Sequence, residues 1–190
     1  MSTNNLKEKK VPRLLEKYRK EFVPELTKLF GYKNIMAVPA VSKIVINMGI
    51  SEGINDSKIV DQAAKELAQI TGQKAKICRA KKPISNFKLR KGLPIACCVV
   101  LRRYRMYEFL DRMISIAMPR IRDFRGYSTT GFDKSGNYNF GILEQTIFPE
   151  LNLDKVTKTF GMNVTIVTTA KTDNEARELL KMFGFPFKKS

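Results

Sequence analysis

Histidine and tryptophan are absent from the 190 residues, and cysteine occurs three times. Without histidine the chain lacks the side chain that most often transfers protons at neutral pH and most often ligates metals, which weakens many enzyme readings before any motif is considered. The cysteines, Cys78, Cys97 and Cys98, are odd in number, and residues 1–10 (MSTNNLKEKK) hold no apolar stretch of secretory-signal length, so a reducing cytoplasmic setting is expected. No run of about 18 apolar residues occurs, which argues against a membrane span. Carboxylates are missing from one long stretch: between Leu67 and Tyr107 there are 11 basic residues and no acid, which is 11 of the net charge of +17.

With 43% hydrophobic residues the chain is too apolar for disorder. At this length it can bury roughly 70% of its unfolded surface without disulfides or a structural metal. Elsewhere charge is nearly balanced: residues 34–66 carry 3 basic and 4 acidic side chains, and 126–190 carry 8 and 7. Solvated faces normally mix signs to limit self-repulsion, so the acid-free segment reads as a surface built to meet a polyanion.

Leu14, Tyr18, Phe22, Leu26 and Phe30 recur every four positions and predict an amphipathic helix over 12–30, kinked or divided at Pro24 and ended by Gly31. Val41 to Ile50 alternates, with Ile44, Ile46 and Met48 facing a core and Lys43, Val45 and Asn47 facing outward. A helix over 55–71 is capped by Asp56 or Ser57 and closed by Gly72. Then come a short strand around 74–79, a long exposed basic loop over 80–92, a strand over 95–103 and a helix from about 104 to 118 that Pro119 stops or bends. Strands are expected around 141–147 and 162–170. Thr172-x-x-Glu175 is a capping box opening a last helix that closes at Gly184. This order predicts an α+β fold, a mostly antiparallel sheet with helices packed on one face and the other face open for RNA. Residues 1–11 read as a flexible basic tail and 12–190 as a single α+β RNA-binding domain. The outward set Lys43, Asn47, Lys74, Lys76 and Thr165 is polar and partly basic.

Candidate chemistry is sparse. Cys97 and Cys98 are adjacent in a strand and point to opposite faces, which suits packing rather than a metal; Cys78 has no histidine base. Asp133-Lys134-Ser135-Gly136 lacks the lysine of a phosphate-binding Walker loop and reads as a turn. No catalytic residue, metal or cofactor is expected. Along 120–141, glycines fall five apart among Phe124, Tyr127, Phe132, Tyr138 and Phe140. That is either a long hairpin with turn glycines or a contact loop presenting aromatics together with Arg122 and Arg125. Phe87, alone in the basic loop, either anchors the loop to the body or offers a ring on which a base stacks.

Several strings together carry a resemblance: Val45-Ile46-Asn47-Met48-Gly49, Ile70-Thr71-Gly72-Gln73-Lys74, Ile114 to Arg125 (ISIAMPRIRDFR), Gly136-Asn137-Tyr138, Gln145 to Glu150 (QTIFPE) and Phe183 to Phe187 (FGFPF). The chain resembles the bacterial type of the large-subunit ribosomal protein five family, over about residues 14–189 and without a large gap. The resemblance implies a structural RNA binder of the central protuberance, cytoplasmic within the ribosome. It implies binding to 5S ribosomal RNA, attachment of that RNA to 23S RNA, contact with transfer RNA in the peptidyl site and a bridge to proteins of the small-subunit head. Matching positions for the 5S contact are Asn47, Gln73 and Phe87, with Lys74 and Lys76 beside them. The 80–92 loop, with Lys81, Lys82, Lys88, Arg90 and Lys91, would reach transfer RNA and rRNA phosphates, and the region after Pro119, with Arg122, Arg125 and Tyr127, lies toward the small subunit. Val100 stands where many relatives carry a threonine, so one hydroxyl is missing here.

Two competing classes explain less. An RNA-processing enzyme needs clustered carboxylates or a base, and the basic segment has neither. A peripheral membrane protein needs an exposed amphipathic helix, but the apolar stripes over 56–71 and 106–118 are required for the core.

Overall fold

The structure, a computed structural model, describes residues 11–54, 56–156 and 158–188. The expected tail over 1–11 lies, apart from Val11, outside the described residues, as does Asn55. The helices are α1 (Arg13–Lys17), α2 (Val23–Phe30), α3 (Ser57–Thr71), α4 (Arg103–Arg112) and α5 (Asp173–Met182). The strands are β1 (Val41–Gly49), β2 (Lys76–Arg79), β3 (Pro94–Leu101), β4 (Tyr138–Ile142) and β5 (Met162–Thr168). They form one sheet in the order β2-β3-β1-β5-β4, and every neighbouring pair is antiparallel.

Two prolines shape the helices in the same way. Between α1 and α2 lies a π-helical turn, Tyr18–Phe22, and Pro24 follows it. A proline ring clashes with the carbonyl four residues back, here Lys20, and the wider π turn makes room for it. After α4 a second π turn, Met113–Ala117, precedes Pro119, and Ser115 is the residue four back. The helix expected over 104–118 therefore ends as α4 at Arg112 and continues as a π turn.

Other boundaries follow local chemistry. Asp56 caps α3 by accepting a hydrogen bond from the Lys58 N–H (2.9 Å), and Gly72 closes it at φ 66°. Thr172 caps α5 by accepting from the Glu175 N–H (3.4 Å), while the Glu175 carboxylate reaches back one residue beyond the cap to accept from the Lys171 N–H (2.9 Å), a shifted form of the expected capping box. The strand expected around 141–147 forms earlier, as β4, because Tyr138, Phe140 and Ile142 alternate inward, whereas residues 145–147 make a 3₁₀ turn. The strand expected from Lys74 begins at Lys76, and the one expected to reach Arg103 ends at Leu101, Arg103 opening α4 at φ 54°.

Ile44, Ile46 and Met48 of β1, fully buried, meet Leu101, Val99 and Cys97 of β3 and, from β5, Ile166 and Val164. Val60, Ala63, Leu67 and Ile70 of α3 and Met106, Phe109 and Leu110 of α4 belong to the same core. The helices thus cover one face.

A buried polar hub ties the lower turns to α3. Gln145, with no exposed surface, accepts the Phe160 N–H and donates to the Lys158 carbonyl (2.7 Å) and to the buried Glu66 carboxylate (3.2 Å). Nearby, Arg112 donates to the Ile70 carbonyl at the end of α3 (3.1 Å) and pairs with Glu150. Gln145→Leu keeps the volume but strands a buried N–H, a carbonyl and part of a carboxylate, at a cost of roughly 3 kcal/mol. With a slope of about 2 kcal/mol per molar urea, the unfolding midpoint is expected to fall by about 1.5 M; an unchanged midpoint would show that the hub contributes nothing.

Candidate nucleic-acid interface

Alternation that buries Ile44, Ile46 and Met48 turns Val45 and Asn47 to the opposite face. The register sets their neighbours. Lys76, Cys98, Asn47, Asn163 and Gly141 lie side by side across all five strands, spanning roughly 19 Å at the usual interstrand spacing. The next row is Val100, Val45, Thr165 and Asn139. None of the five strands contains an Asp or Glu, whereas Lys43, Lys76 and Arg79 supply cations. No described helix covers this face, and Lys76, Asn163 and Asn139 are exposed on it.

Asn47 sits centrally, its side chain making no hydrogen bond among the described residues, so its donor and acceptor are available to a partner. Gln73, just past the glycine that ends α3, donates through Nε2 to the Val100 carbonyl (3.2 Å), which holds it against β3 in the row next to that of Asn47. Lys74 and Lys76 continue the exposed side of that edge. Val100 is 36% exposed and with Val45 makes the apolar half of its row.

The basic loop is a short finger. Arg79 donates to the Gly92 carbonyl (3.0 Å), the Ala80 N–H to Leu93 (2.9 Å) and the Gly92 N–H to Ala80 (2.9 Å), closing its base; Ile84 and Leu89 exchange backbone bonds (2.9 and 3.0 Å) below a tip formed by Ser85–Phe87. Lys88 turns the tip at φ 50°, a left-handed conformation that favours glycine. Lys81, Lys82, Lys88, Arg90 and Lys91 are all exposed. Phe87 is 69% exposed, which rules out its role as an anchor on the body and leaves its ring presented among cations.

The glycine-rich stretch differs from both of its sequence readings. A small hairpin at 132–138 leads into β4, but its aromatics turn inward. Tyr127 packs on Phe140 (4.8 Å between centroids) and Phe185 (5.7 Å), Phe132 on Tyr138 (4.6 Å), and Tyr138 on Phe187 (5.4 Å). Backbone bonds from Tyr127 to Pro186 (2.9 Å) and from Lys188 to Tyr127 (2.8 Å) tie this stretch to the chain's end. Tyr127 is therefore half-buried, while Arg122 and Arg125 are presented outward, Arg122 beside the equally exposed Asp123. The two arginines, with Arg120, line a cavity of about 650 Å³ between the loop and the end of β4.

Asn139 and Asn163, opposite Thr165 and Asn47, were not singled out by sequence reasoning. The signal for Asn163 was the alternation of Met162-Asn163-Val164-Thr165-Ile166, which marks Thr165 and Asn163 equally, and that for Asn139 the alternation of Tyr138-Asn139-Phe140. Among the described residues no cluster of three or more cysteines and carboxylates suited to a metal occurs, and no helix is long and apolar enough to cross a membrane. Cys97 is buried in the core and its neighbour Cys98 lies on the open face, as adjacent strand positions require. Burial pushes the Cys97 thiol up to about 12, which suits an inert packing residue.

Comparison with known families matches residues 34–90 to "Ribosomal protein L5" and residues 94–187 to the C-terminal part of the same ribosomal L5 family. A large ribosomal subunit protein uL5 from Geobacter sulfurreducens is 60% identical over 176 residues, 93% of this chain and 98% of that protein. One from Thermobifida fusca is 54% identical over 186 residues, 98% and 97%. The chain belongs to the bacterial ribosomal protein L5 family. As a member of the L5 family it is a structural, RNA-binding protein of the large ribosomal subunit in the cytoplasm, and not an enzyme. The two matched L5 segments meet in one sheet, β1 and β2 from the first and β3 to β5 from the second.

The aromatic cluster beneath the loop has a pH signature. Burial raises the hydroxyls of Tyr127 and Tyr138 from about 10 to about 12. Because the folded values exceed the unfolded ones, the stabilisation is complete below about pH 10 and is lost as pH rises toward about 12. Urea titrations at pH 9 and pH 11.5 should show this loss, smaller in Tyr127→Phe; equal stability at both pH values would contradict the buried placement.

Proposed function

We propose that the open sheet face and the basic finger bind 5S ribosomal RNA and help attach it to 23S RNA in the central protuberance, residues 12–190 working as one RNA-binding unit. The observation that carries this reading is the sheet face itself: five strands without a carboxylate, Asn47 central with no side-chain hydrogen bond among the described residues, and Gln73 held against β3 in the next row. Lys74, Lys76 and the finger cations supply attraction to phosphates, which sets affinity. Asn47 and Gln73 have the amide groups that read base edges, and Phe87 has the exposed ring that stacks on an unpaired base.

The finger stands away from the sheet on a closed, hydrogen-bonded base, a shape suited to reaching a second RNA. Lys81, Lys82, Lys88, Arg90 and Lys91 then contact phosphates of transfer RNA in the peptidyl site or of rRNA. Arg122 and Arg125, displayed beside the 650 Å³ cavity, serve a bridge to proteins of the small-subunit head, with Tyr127 fixing their loop to the body.

Filter binding of 5S rRNA against a size-matched control RNA tests the reading. Asn47→Ala and Gln73→Ala are expected to weaken 5S binding about tenfold each, as loss of one or two buried polar contacts does, and Phe87→Ala by about tenfold or more. Thermal midpoints should stay near that of the parent. Equal affinity of all three variants would remove the site assignment.

Salt provides a separate readout. If six cations neutralise phosphates, log K falls with log salt at a slope of about −4 to −5. Lys88→Gly relieves the left-handed backbone without cost to folding, so it should reduce that slope by about 0.7 to 0.9 while stability is kept or raised. An unchanged slope would place Lys88 outside the contact.

A further inference from the structure

Glycine in the middle of a strand costs about 0.5–1 kcal/mol relative to alanine, so each one calls for a reason. Two glycines of the loop before β4 have plain reasons: a Cβ at Gly131 would collide with the Asn139 carbonyl oxygen, and Gly136, at φ 76°, would put one 2.8 Å from that of Ala170. Gly141 is different. It sits in β4 with an ordinary extended backbone, and a Cβ there would meet only the Asn163 Oδ1 atom at 3.7 Å, a normal contact. Neither the chain's conformation nor its packing requires glycine at 141.

What the missing side chain does is leave a cleft. Asn139, Gly141, Asn163 and Thr165 bound a shallow cavity of about 420 Å³ on the open face, within the range of small-ligand sites. The Thr165 hydroxyl donates to the Asn139 Oδ1 (2.6 Å), which fixes the Asn139 amide and leaves its NH₂ without a partner among the described residues. Asn163, exposed, makes no side-chain hydrogen bond among them either, and lies directly between Asn47 and Gly141 in register. The cleft is thus a continuation of the Lys76-Cys98-Asn47 row, on a sheet with no carboxylate to repel a phosphate.

We propose that this β4–β5 cleft is a second RNA subsite, in which one unstacked nucleotide lies over the bare backbone of Gly141 while the side-chain amides of Asn163 and Asn139 hydrogen-bond its base edge. The proposal rests on the reading that the open face binds 5S rRNA, and it extends the contact from β1–β3 to the far edge of the sheet. Amides paired to base edges, and a glycine allowing close approach, are the chemistry such a site needs.

The test compares Gly141→Val, Asn163→Ala and Asn47→Ala in 5S rRNA binding, with thermal unfolding of each protein. Valine is favoured in strands and its Cβ would meet only an ordinary contact at 141, so Gly141→Val should melt at or above the parent temperature yet bind 5S rRNA about tenfold or more weakly. Asn163→Ala should lose about tenfold. Parent-like binding by Gly141→Val and Asn163→Ala, with Asn47→Ala weakened, overturns the subsite and leaves the sheet reading standing. Failure of the parent protein to prefer 5S rRNA over a control RNA overturns both. If Gly141→Val does not fold, Asn163→Ala and Asn163→Asp decide, the latter expected to bind more weakly still because it places a charge of the wrong sign.

Discussion

Strand β1 lies at the centre of the sheet, and the two-residue period of its side chains governs most of what the molecule is. Ile44, Ile46 and Met48 on one side nucleate a core shared with α3 and α4, and Val45 and Asn47 on the other occupy the middle of a face that no described helix covers. A slip of one residue would bury Asn47 and expose three large apolar side chains. The same register that keeps the core dry therefore aligns Lys76, Cys98, Asn47 and Asn163 in a single row. The core and the open face share one constraint.

The charge distribution follows from that division. Carboxylates are kept on helices and turns, where they cap and pair: Asp56 at the start of α3, Glu175 at α5, Glu150 with Arg112, Asp111 with Arg13. These exposed or half-exposed pairs contribute little individually. Their placement matters more for what it leaves behind, a sheet without any acid and a finger with five exposed cations. For a protein of the L5 family this arrangement gives long-range attraction to RNA without a competing anion on the open face.

Much of this was legible in the sequence because it is local. The β1 alternation, the Asp56 and Thr172 caps, and the terminating glycines 31, 72 and 184 depend on residues within a few positions of one another, and each formed as its pattern implied. The departures have long-range or backbone causes. The π turns before Pro24 and Pro119 come from a ring meeting a carbonyl four residues earlier, which fixes the place of the distortion but not its form. The inward turn of Tyr127, Phe132 and Tyr138 depends on Phe185 and Phe187, some fifty residues later, so glycine spacing alone pointed equally to a hairpin and to an exposed aromatic loop. Asn163 was hidden for a similar reason: its position opposite Asn47 exists only once β5 pairs with β1.

The most direct measurement of the central claim is an NMR titration of the isotopically labelled protein with 5S rRNA, following the side-chain amides and the backbone. Large shifts should appear at the side-chain amides of Asn47, Gln73 and Asn163, along β1, β3 and β5 and in the 80–92 finger, with the exposed helix surfaces of α3 and α5 unmoved. Shifts concentrated on α3 and α5, with the Asn47 and Asn163 amides unchanged, would contradict the assignment of RNA binding to the open face of the sheet.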